Sequence, residues 1–330
     1  MINFSGFKDS SVLVTGATGL IGSALVHQLT ALGAKVYACS RSSEKFKACF
    51  HGYDNIIPVY GDICNIDICN LDVDYIVHAA GTTASKDFVE KPVETIRTAV
   101  GGTLNILDQC KDKKLKGFIF ISSMEAFGIT PSDGRDVRET DLGYIDVMNV
   151  RSSYSESKRL CENLCVSYAS EYGVPAKVVR LAQTVGPGVS YSDNRVTVQF
   201  ARSVIEGKDI VLKTEGKTKR PILYIDDAVS AILTVLAKGQ VGDCYTAANP
   251  DTFCTIRETA EAILHEIAQD KIKLVFDLDP NAGYAPDICL NLNVDKLKAL
   301  GWEPKVGLVE SYRRLIESLK NGSPAGLNKS

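Results

Sequence analysis

Short apolar runs alternate with helical patterns of apolar residues along the first 185 residues of the chain. Such alternation predicts strands of one parallel sheet with helices on both of its faces. The predicted strands are 11–15, 35–40, 56–60, 74–79, 117–122 and 177–182, and the longest predicted helices run from Val93 to Cys110 and from Ser153 to Tyr172. The sequence therefore predicts an α/β fold built on a doubly wound parallel sheet.

The pattern changes near residue 185, where Gly186-Pro187-Gly188 interrupts it and the later apolar segments become shorter. Further helices are predicted at 196–206, 226–238, 256–268 and 306–319. We predict that residues 1–185 carry the sheet and that residues 186–330 form a smaller C-terminal lobe that binds substrate. This boundary is approximate because the lobe is expected to fold over the carboxyl edge of the sheet, where open α/β sheets bind ligands. Turn-forming residues at 321–326 predict a frayed C-terminus.

The composition narrows the class of protein. A chain of 330 residues with a formal charge of −3 can bury a large core and has no general attraction to nucleic acid or anionic membranes. No apolar run reaches the roughly 20 residues that cross a bilayer, and no secretory signal opens the sequence. We therefore expect a soluble, cytoplasmic protein without nucleic-acid or membrane partners. The 10 cysteines are scattered through the chain, and we expect them to be reduced thiols. Cys161 and Cys165 share a helix face without a neighbouring His or Asp cluster, so we expect them to pack in the core and not to bind a metal.

A glycine-rich turn stands between the first predicted strand and the first predicted helix. Val12-Leu13-Val14 leads directly into Thr15-Gly16-Ala17-Thr18-Gly19-Leu20-Ile21-Gly22, and a helical pattern follows as far as Gly33. Glycines allow a tight turn close to a pyrophosphate, whose charge the free N–H groups of the helix can hold. This order predicts a dinucleotide site that includes Gly16, Thr18, Gly19, Leu20, Ile21 and Gly22.

A second segment, Tyr154-Ser155-Glu156-Ser157-Lys158, lies within a predicted helix. Four-residue spacing puts the Tyr154 phenol and the Lys158 ammonium on one helix face. Because a nearby cation favours the phenolate, we expect Lys158 to lower the pKa of Tyr154. The pair predicts a group that can donate and accept a proton during catalysis.

Further motifs follow the predicted strands in order. They are Gly61-Asp62-Ile63, His78-Ala79-Ala80-Gly81, Ile121-Ser122-Ser123-Met124-Glu125-Ala126-Phe127-Gly128, Arg180-Leu181-Ala182-Gln183, Arg220 to Asp227 and Leu300-Gly301-Trp302-Glu303-Pro304. With the glycine turn and the Tyr-x-x-x-Lys segment, they resemble the extended short-chain dehydrogenase/reductase family over nearly the whole chain. That family includes nucleotide-sugar epimerases, dehydratases, decarboxylases and reductases. The resemblance implies an enzyme with a Rossmann-type sheet, an NAD(P) cofactor and a nucleotide-sugar substrate.

The resemblance also assigns roles to individual residues. The candidate catalytic residues are Ser123, Glu125, Tyr154 and Lys158, of which Tyr154 exchanges a proton with the substrate oxygen and Ser123 holds that oxygen. The cofactor site gains Asp62, Ile63, Ala79, Ala80, Gly81, Tyr154 and Lys158, with Lys158 on the nicotinamide ribose. The candidate substrate-binding residues are Ser123, Met124, Glu125, Gln183 and Arg220, with Arg220 on the pyrophosphate. A homodimer is implied through the two long helices, where apolar positions are Val100, Leu104, Leu107, Leu160, Leu164 and Tyr168.

The end of the second predicted strand departs from the family pattern. Many relatives that recycle NAD have an acidic residue there, which accepts hydrogen bonds from the ribose hydroxyls. This chain has Ser40-Arg41-Ser42 instead, so a 2′-phosphate is not repelled and Arg41 can hold it. The sequence therefore favours NADP(H) over NAD(H), with all three residues as cofactor ligands.

A second departure concerns the substrate. Sugar dehydratases have Asp before the glutamate, whereas this chain has Met124 before Glu125, and methionine cannot protonate a leaving hydroxyl. Glu125 then binds sugar hydroxyls or acts as a base in an epimerisation. Gln183 stands where asparagine is usual, and Tyr284-Ala285-Pro286-Asp287 lacks an arginine that many relatives place on the pyrophosphate.

These observations favour an NADPH-dependent reductase that acts on the keto group of a nucleotide sugar. The specific hypothesis is reduction of a CDP-linked ketose to a CDP-alditol for surface-polysaccharide synthesis. The alternative is a redox-neutral, NAD-dependent epimerase, 4,6-dehydratase or decarboxylase. A non-catalytic NADP-binding regulator is a remote alternative, because such a protein is expected to lose Tyr154 or Lys158.

Overall fold

The computed structural model describes residues 4–131, 133–278 and 287–322. Its strands are β1 Ser11–Thr15, β2 Lys35–Ser40, β3 Ile56–Tyr60, β4 Tyr75–His78, β5 Gly117–Ser123, β6 Asp136–Val137, β7 Ala176–Leu181, β8 Gln183–Val185, β9 Ile210–Leu212, β10 Lys219–Arg220, β11 Ile222–Tyr224, β12 Cys244–Ala247, β13 Cys254–Thr255, β14 Leu274–Phe276 and β15 Asn291–Leu292.

The α-helices lie between these strands and after them. They are α1 Leu20–Ala31, α2 Ser43–Phe50, α3 Asp87–Glu90, α4 Pro92–Ile96, α5 Gly102–Cys110, α6 Ser152–Tyr172, α7 Val196–Glu206, α8 Ile225–Lys238, α9 Ile256–Glu266, α10 Asp295–Lys298 and α11 Leu308–Lys320. A π-helical turn, Arg97–Gly101, joins α4 to α5, and short 3₁₀ turns lie at Ser5–Phe7, Met124–Phe127 and Pro250–Thr252.

Among the described residues, seven strands form a parallel sheet in the order β12-β7-β5-β4-β1-β2-β3. The order changes direction at β1, which pairs with β2 on one side and β4 on the other. Open α/β sheets bind ligands beyond the carboxyl ends of their strands at such a point. The predicted doubly wound, Rossmann-type sheet is therefore confirmed.

Alternate residues of the sheet strands pack into two different hydrophobic cores, one on each face of the sheet. Val12 and Val14 of β1 belong to the core under α1 and α8, whereas Leu13 points to the core under α5 and α6. This alternation follows from the two-residue period of a strand. Cys161 and Cys165 are buried in the second core, as the sequence predicts.

A third core lies among α7, α9 and α11 in the C-terminal half of the chain. However, α8 and β12 come from the same half and pack on or extend the main sheet. The domain boundary at residue 185 stays a prediction. Elements from beyond residue 185 return to the main sheet, so the two halves of the sequence are interleaved. Within the described ranges, every helix is too short or too polar to span a membrane.

The predicted dimer positions divide between the core and the surface. Leu107 and Tyr168 are buried under α5 and α6, so their proposed place in an interface is corrected. Leu107 is fully buried in this core, and the Tyr168 hydroxyl donates to Asp108 of α5 at 2.7 Å, so both side chains are engaged within the protomer. Leu160 is 47% exposed, while Val100, Leu104 and Leu164 are partly buried against the same core.

Candidate active site

A cleft of about 1550 Å³ runs along the carboxyl ends of the central strands. It exceeds the roughly 300–1,000 Å³ that is usual for one small ligand, so it can accept two. The predicted site residues that line it are Gly16, Thr18, Gly19, Leu20, Ile21, Gly22, Ser40, Arg41, Asp62, Ile63, Ala79, Ala80, Gly81, Ser123, Met124, Glu125, Tyr154, Lys158, Gln183 and Arg220. Ser42 is the exception, because its side chain caps α2 by accepting a hydrogen bond from the Lys45 amide.

The glycine turn between β1 and α1 forms one wall of the cleft. Gly16 has a φ of 66°, in the left-handed region that glycine tolerates. A Cβ atom at Gly22 would lie 2.1 Å from the Gly16 carbonyl oxygen, so the turn and the helix need both glycines. Helix α1 begins after Gly19 without a side-chain cap, which leaves the amides of its first turn for an anion. A dinucleotide pyrophosphate fits this wall.

A buried hydrogen-bond network fixes the neighbouring loop after β4. The Thr15 hydroxyl accepts hydrogen bonds from the Ala79 and Ala80 amides, both at 3.1 Å, so its own hydrogen goes to His78 Nδ1 at 2.9 Å. The Thr103 hydroxyl donates to the Ala99 carbonyl at 2.7 Å and accepts from His78 Nε2 at 3.1 Å. His78 is thus the neutral Nε2–H tautomer, and burial lowers its pKa to about 3.

The end of β2 presents cations to the cleft. Arg41 and Lys45 both line it beside Ser40, and both side chains are exposed. Lys45 lies in the first turn of α2, and the sequence reasoning missed it because its position depends on the Ser42 cap. The pair provides two positive charges for a phosphate at this end of the cleft.

Tyr154 lies at the other end of the cleft, where β5 ends. Its phenol forms a hydrogen bond with Ser123, and its ring stacks on Phe88 with centroids 4.1 Å apart. Lys158 Nζ donates to the Ile121 carbonyl at 2.7 Å and lies 5.7 Å from the centre of the Tyr154 ring. The predicted Ser123, Tyr154 and Lys158 are thus brought together.

The expectation of a lowered pKa for Tyr154 is wrong in this structure. Burial raises the pKa of Tyr154 to about 12, despite the hydrogen bond from Ser123, and the cations that oppose this rise are Arg151 and Arg195. Burial also lowers the pKa of Lys158. The helical spacing is as predicted, and the Lys158 ammonium donates to the Ile121 carbonyl while it lies 5.7 Å from the centre of the Tyr154 ring.

Glu125 lies beside Tyr154 and is held by the N-cap residue and the first turn of α6. Arg151 donates from Nη1 to Oε2 at 2.9 Å and from Nη2 to Oε1 at 3.0 Å, and the Ser155 hydroxyl donates to Oε2 at 3.4 Å. The sequence reasoning missed Arg151, although its spacing of three residues from Tyr154 was a signal that both share a helix face. Phe88 and Arg195 were missed as well, since both reach the cleft from distant segments.

Arg220 brings an unpaired positive charge to the cleft. Its guanidinium forms no ion pair with any described residue, and burial lowers its pKa. An arginine in that state is suited to a phosphate, whose oxygens match its fork of donors. Gln183 donates to the Thr197 hydroxyl at 3.4 Å, and the Met124 side chain is buried in the main core. Residues 284–286 lie outside the described residues.

Comparisons with known proteins agree with this architecture. The family model of the NAD dependent epimerase/dehydratase family matches residues 12–249. UDP-glucuronic acid decarboxylase 2 of Arabidopsis thaliana is 30% identical over 332 residues, covering 96% of this chain and 72% of the relative. UDP-glucuronic acid decarboxylase 1 of the same plant is 29% identical over 324 residues, covering 96% and 71%.

Solved structures share the fold at lower identity. The epimerase Mth375 of Methanothermobacter thermautotrophicus superposes with a TM-score of 0.83 at 22% identity, covering 97% of this chain and 94% of its own. The UDP-glucuronic acid 4-epimerase of Bacillus cereus, solved with NAD, gives 0.78 at 23%, covering 94% and 99%. The chain belongs to the NAD dependent epimerase/dehydratase family and is an enzyme of the short-chain dehydrogenase/reductase type.

Proposed function

We propose that this enzyme modifies the sugar of a nucleotide sugar by a redox-neutral reaction, in which a hydride leaves the sugar and returns to it. One observation carries the proposal: the Ser123–Tyr154 pair, the Arg151–Glu125 pair and the unpaired Arg220 share one cleft with the glycine turn. Relatives named as decarboxylases and neighbours named as epimerases support this alternative over reduction of a CDP-linked ketose.

Each residue has a defined task in this reaction. Tyr154 exchanges a proton with the sugar oxygen, and Ser123 holds that oxygen through the hydrogen bond that it now gives the phenol. Lys158 is anchored by the Ile121 carbonyl at the same end of the cleft, and Arg220 binds the substrate pyrophosphate. A bound nicotinamide supplies the acceptor and donor of hydride.

The residues favour epimerisation or decarboxylation over 4,6-dehydration. Dehydration requires a proton donor at the departing hydroxyl, and Met124 stands where that donor is expected. Its side chain is buried in the main core, and a thioether has no proton to donate in any rotamer. We expect no 4-keto-6-deoxy product from any nucleotide hexose.

The cofactor proposed for the cleft is NADP(H), with NAD(H) as the alternative. Arg41 and Lys45 favour a 2′-phosphate, and a redox-neutral cycle can use either dinucleotide because the hydride returns. Arg41→Asp should reverse the preference, since a carboxylate repels the phosphate and accepts a bond from a free 2′-hydroxyl. Equilibrium binding of both dinucleotides to both proteins measures this, and tighter NAD than NADP binding by the wild type contradicts it.

The reaction itself is tested with UDP-glucose and UDP-glucuronic acid that carry deuterium at C4 of the sugar. A redox-neutral enzyme forms a new sugar that retains the deuterium, and the reduced dinucleotide is not consumed. NMR of the product and absorbance of the dinucleotide report the two quantities. Stoichiometric consumption of NADPH with a CDP-linked ketose would establish the reductase instead.

A further inference from the structure

Both carboxylate oxygens of Glu125 are occupied by hydrogen-bond donors. Arg151 grips them in a two-pronged pair at 2.9 and 3.0 Å, and Ser155 adds a third donor at 3.4 Å. Arg151 is the N-cap residue of α6 and Ser155 lies in its first turn, on either side of Tyr154. A paired guanidinium fork fixes the plane of a carboxylate as well as its position.

Neighbouring residues contact this pair. The Arg151 guanidinium lies 6.0 Å from the centre of the Phe88 ring, which also stacks on the ring of Tyr154. The Glu125 amide donates to the Ser123 hydroxyl at 3.2 Å. Arg159 separately holds the turn that carries Glu125, because it donates to the carbonyls of Ala126 at 2.8 Å and Gly143 at 2.7 Å.

A carboxylate that removes a proton from carbon must present a free lone pair to the C–H bond. Arg151 takes one lone pair on each oxygen and fixes the plane of the carboxylate, so Glu125 can meet a C–H bond only with the lone pairs that point away from the guanidinium. We propose that Arg151 is a positioning residue that keeps Glu125 as a hydrogen-bond acceptor for sugar hydroxyls and prevents it from acting as a base toward the sugar. This inference rests on the proposed redox-neutral function. It specifies that the site leaves the C–H bonds beside the sugar ketone intact.

The consequence concerns the C–H bonds beside a sugar ketone. If Glu125 were free, it would take the proton, the C–H electron pair would form an enolate, and solvent would return a proton to carbon. The Ser123–Tyr154 pair that holds the ketone oxygen would stabilise that enolate. With Arg151 in place, the carbon keeps its original hydrogen.

The test uses a UDP-linked 4-ketohexose in D₂O, so that exchange is measured without any hydride step. We expect the wild type to add no deuterium at C3 or C5 above the rate without enzyme. Arg151→Met should raise the exchange rate at least ~10-fold, the lower end of what a positioned base achieves. Arg151→Met combined with Glu125→Gln should return it to the background rate.

Ser155→Ala is the matched control, because it removes the long hydrogen bond and leaves the Arg151 pair intact. It should show background exchange, and thermal unfolding of every variant confirms that it is folded. Exchange by the wild type, no gain in Arg151→Met, or a gain that persists in the double variant would each overturn the inference. Failure of the proposed function is distinguishable, since it would be seen as no product from the C4-deuterated substrates while the exchange results stand.

Discussion

The Tyr154 ring is buried against Phe88, which shields the phenol from water. The hydrogen bond with Ser123 fixes the direction of its hydroxyl group. Tyr154→Phe removes the proton donor and keeps the ring stack. We expect kcat to fall at least ~100-fold, the usual scale for a positioned acid, while binding of dinucleotide and nucleotide sugar persists. Steady-state kinetics with calorimetric titration measures both, and near-wild-type turnover would remove Tyr154 from the mechanism.

His78 makes stability depend on pH through its buried ring. Its pKa falls from 6.5 to about 3 on folding because burial disfavours the charged form. Between those values the unfolded chain binds the extra proton, so the free energy of unfolding should drop by up to about 1.4 kcal/mol per pH unit as the pH falls.

The check is denaturant unfolding of the wild type and of His78→Gln from pH 7 to pH 4. Comparing the two proteins removes the contribution of other acidic groups. The variant should be less stable at pH 7, because Thr15 and Thr103 lose their imidazole partner, but should lose stability less steeply. Equal slopes would contradict the assignment of the pH dependence to His78.

The sequence predicted Tyr154 from its spacing to Lys158 and Ser123 from the family resemblance. The structure places Ser123 and Tyr154 at one end of the cleft. Arg151 and Phe88 were missed because their roles depend on partners, Glu125 and Tyr154, that lie 26 and 66 positions away. The sequence also could not predict the direction of the Lys158 side chain, because that direction depends on a hydrogen bond to the Ile121 carbonyl of β5.

At the scale of an element, the β1–α1 turn depends on backbone contact. Gly22→Ala would push a methyl group into the Gly16 carbonyl, so helix α1 must shift. We expect a loss of about 1–3 kcal/mol in the free energy of unfolding, typical of overpacking, and a larger loss in dinucleotide affinity. Gly6→Ala is the control, because nothing lies within 4 Å of its added Cβ. Equal effects of the two substitutions would contradict the prediction.

The elements that carry a clear apolar period were predicted almost to the residue, as β2 at 35–40 and α7 at 196–206 illustrate. Strand β12 was missed because four residues, Cys-Tyr-Thr-Ala, make too short a run to reveal a strand. The predicted helix from Val93 to Cys110 contains a π-helical turn at Arg97–Gly101. That turn ends where Gly102 packs against Ile63, a tertiary contact that helical periodicity does not report.

At the scale of the whole molecule, we propose a homodimer formed through α4 and α6. Val93 is 65% exposed and Leu160 47% exposed, and the two helices pack against each other in one protomer. Exposed apolar side chains on adjacent helices are suited to an isologous contact with a second copy. Light scattering should give the dimer mass for the wild type and the monomer mass for Val93→Glu with Leu160→Glu. A monomeric wild type at micromolar concentration would contradict it.

The main sheet depends on residues beyond 185, because the C-terminal half of the chain returns to it. Strand β12 pairs with β7, and α8 covers the face of the sheet that α1 shares, with Ile232 and Leu236 fully buried in that core. A fragment of residues 1–185 would expose this surface to water. We expect it to show no cooperative unfolding transition, whereas the full chain unfolds with one, since buried apolar area is the main source of stability. Calorimetry of both proteins measures this, and a cooperative transition of the fragment near the full-chain Tm would show that the sheet is complete without its C-terminal half.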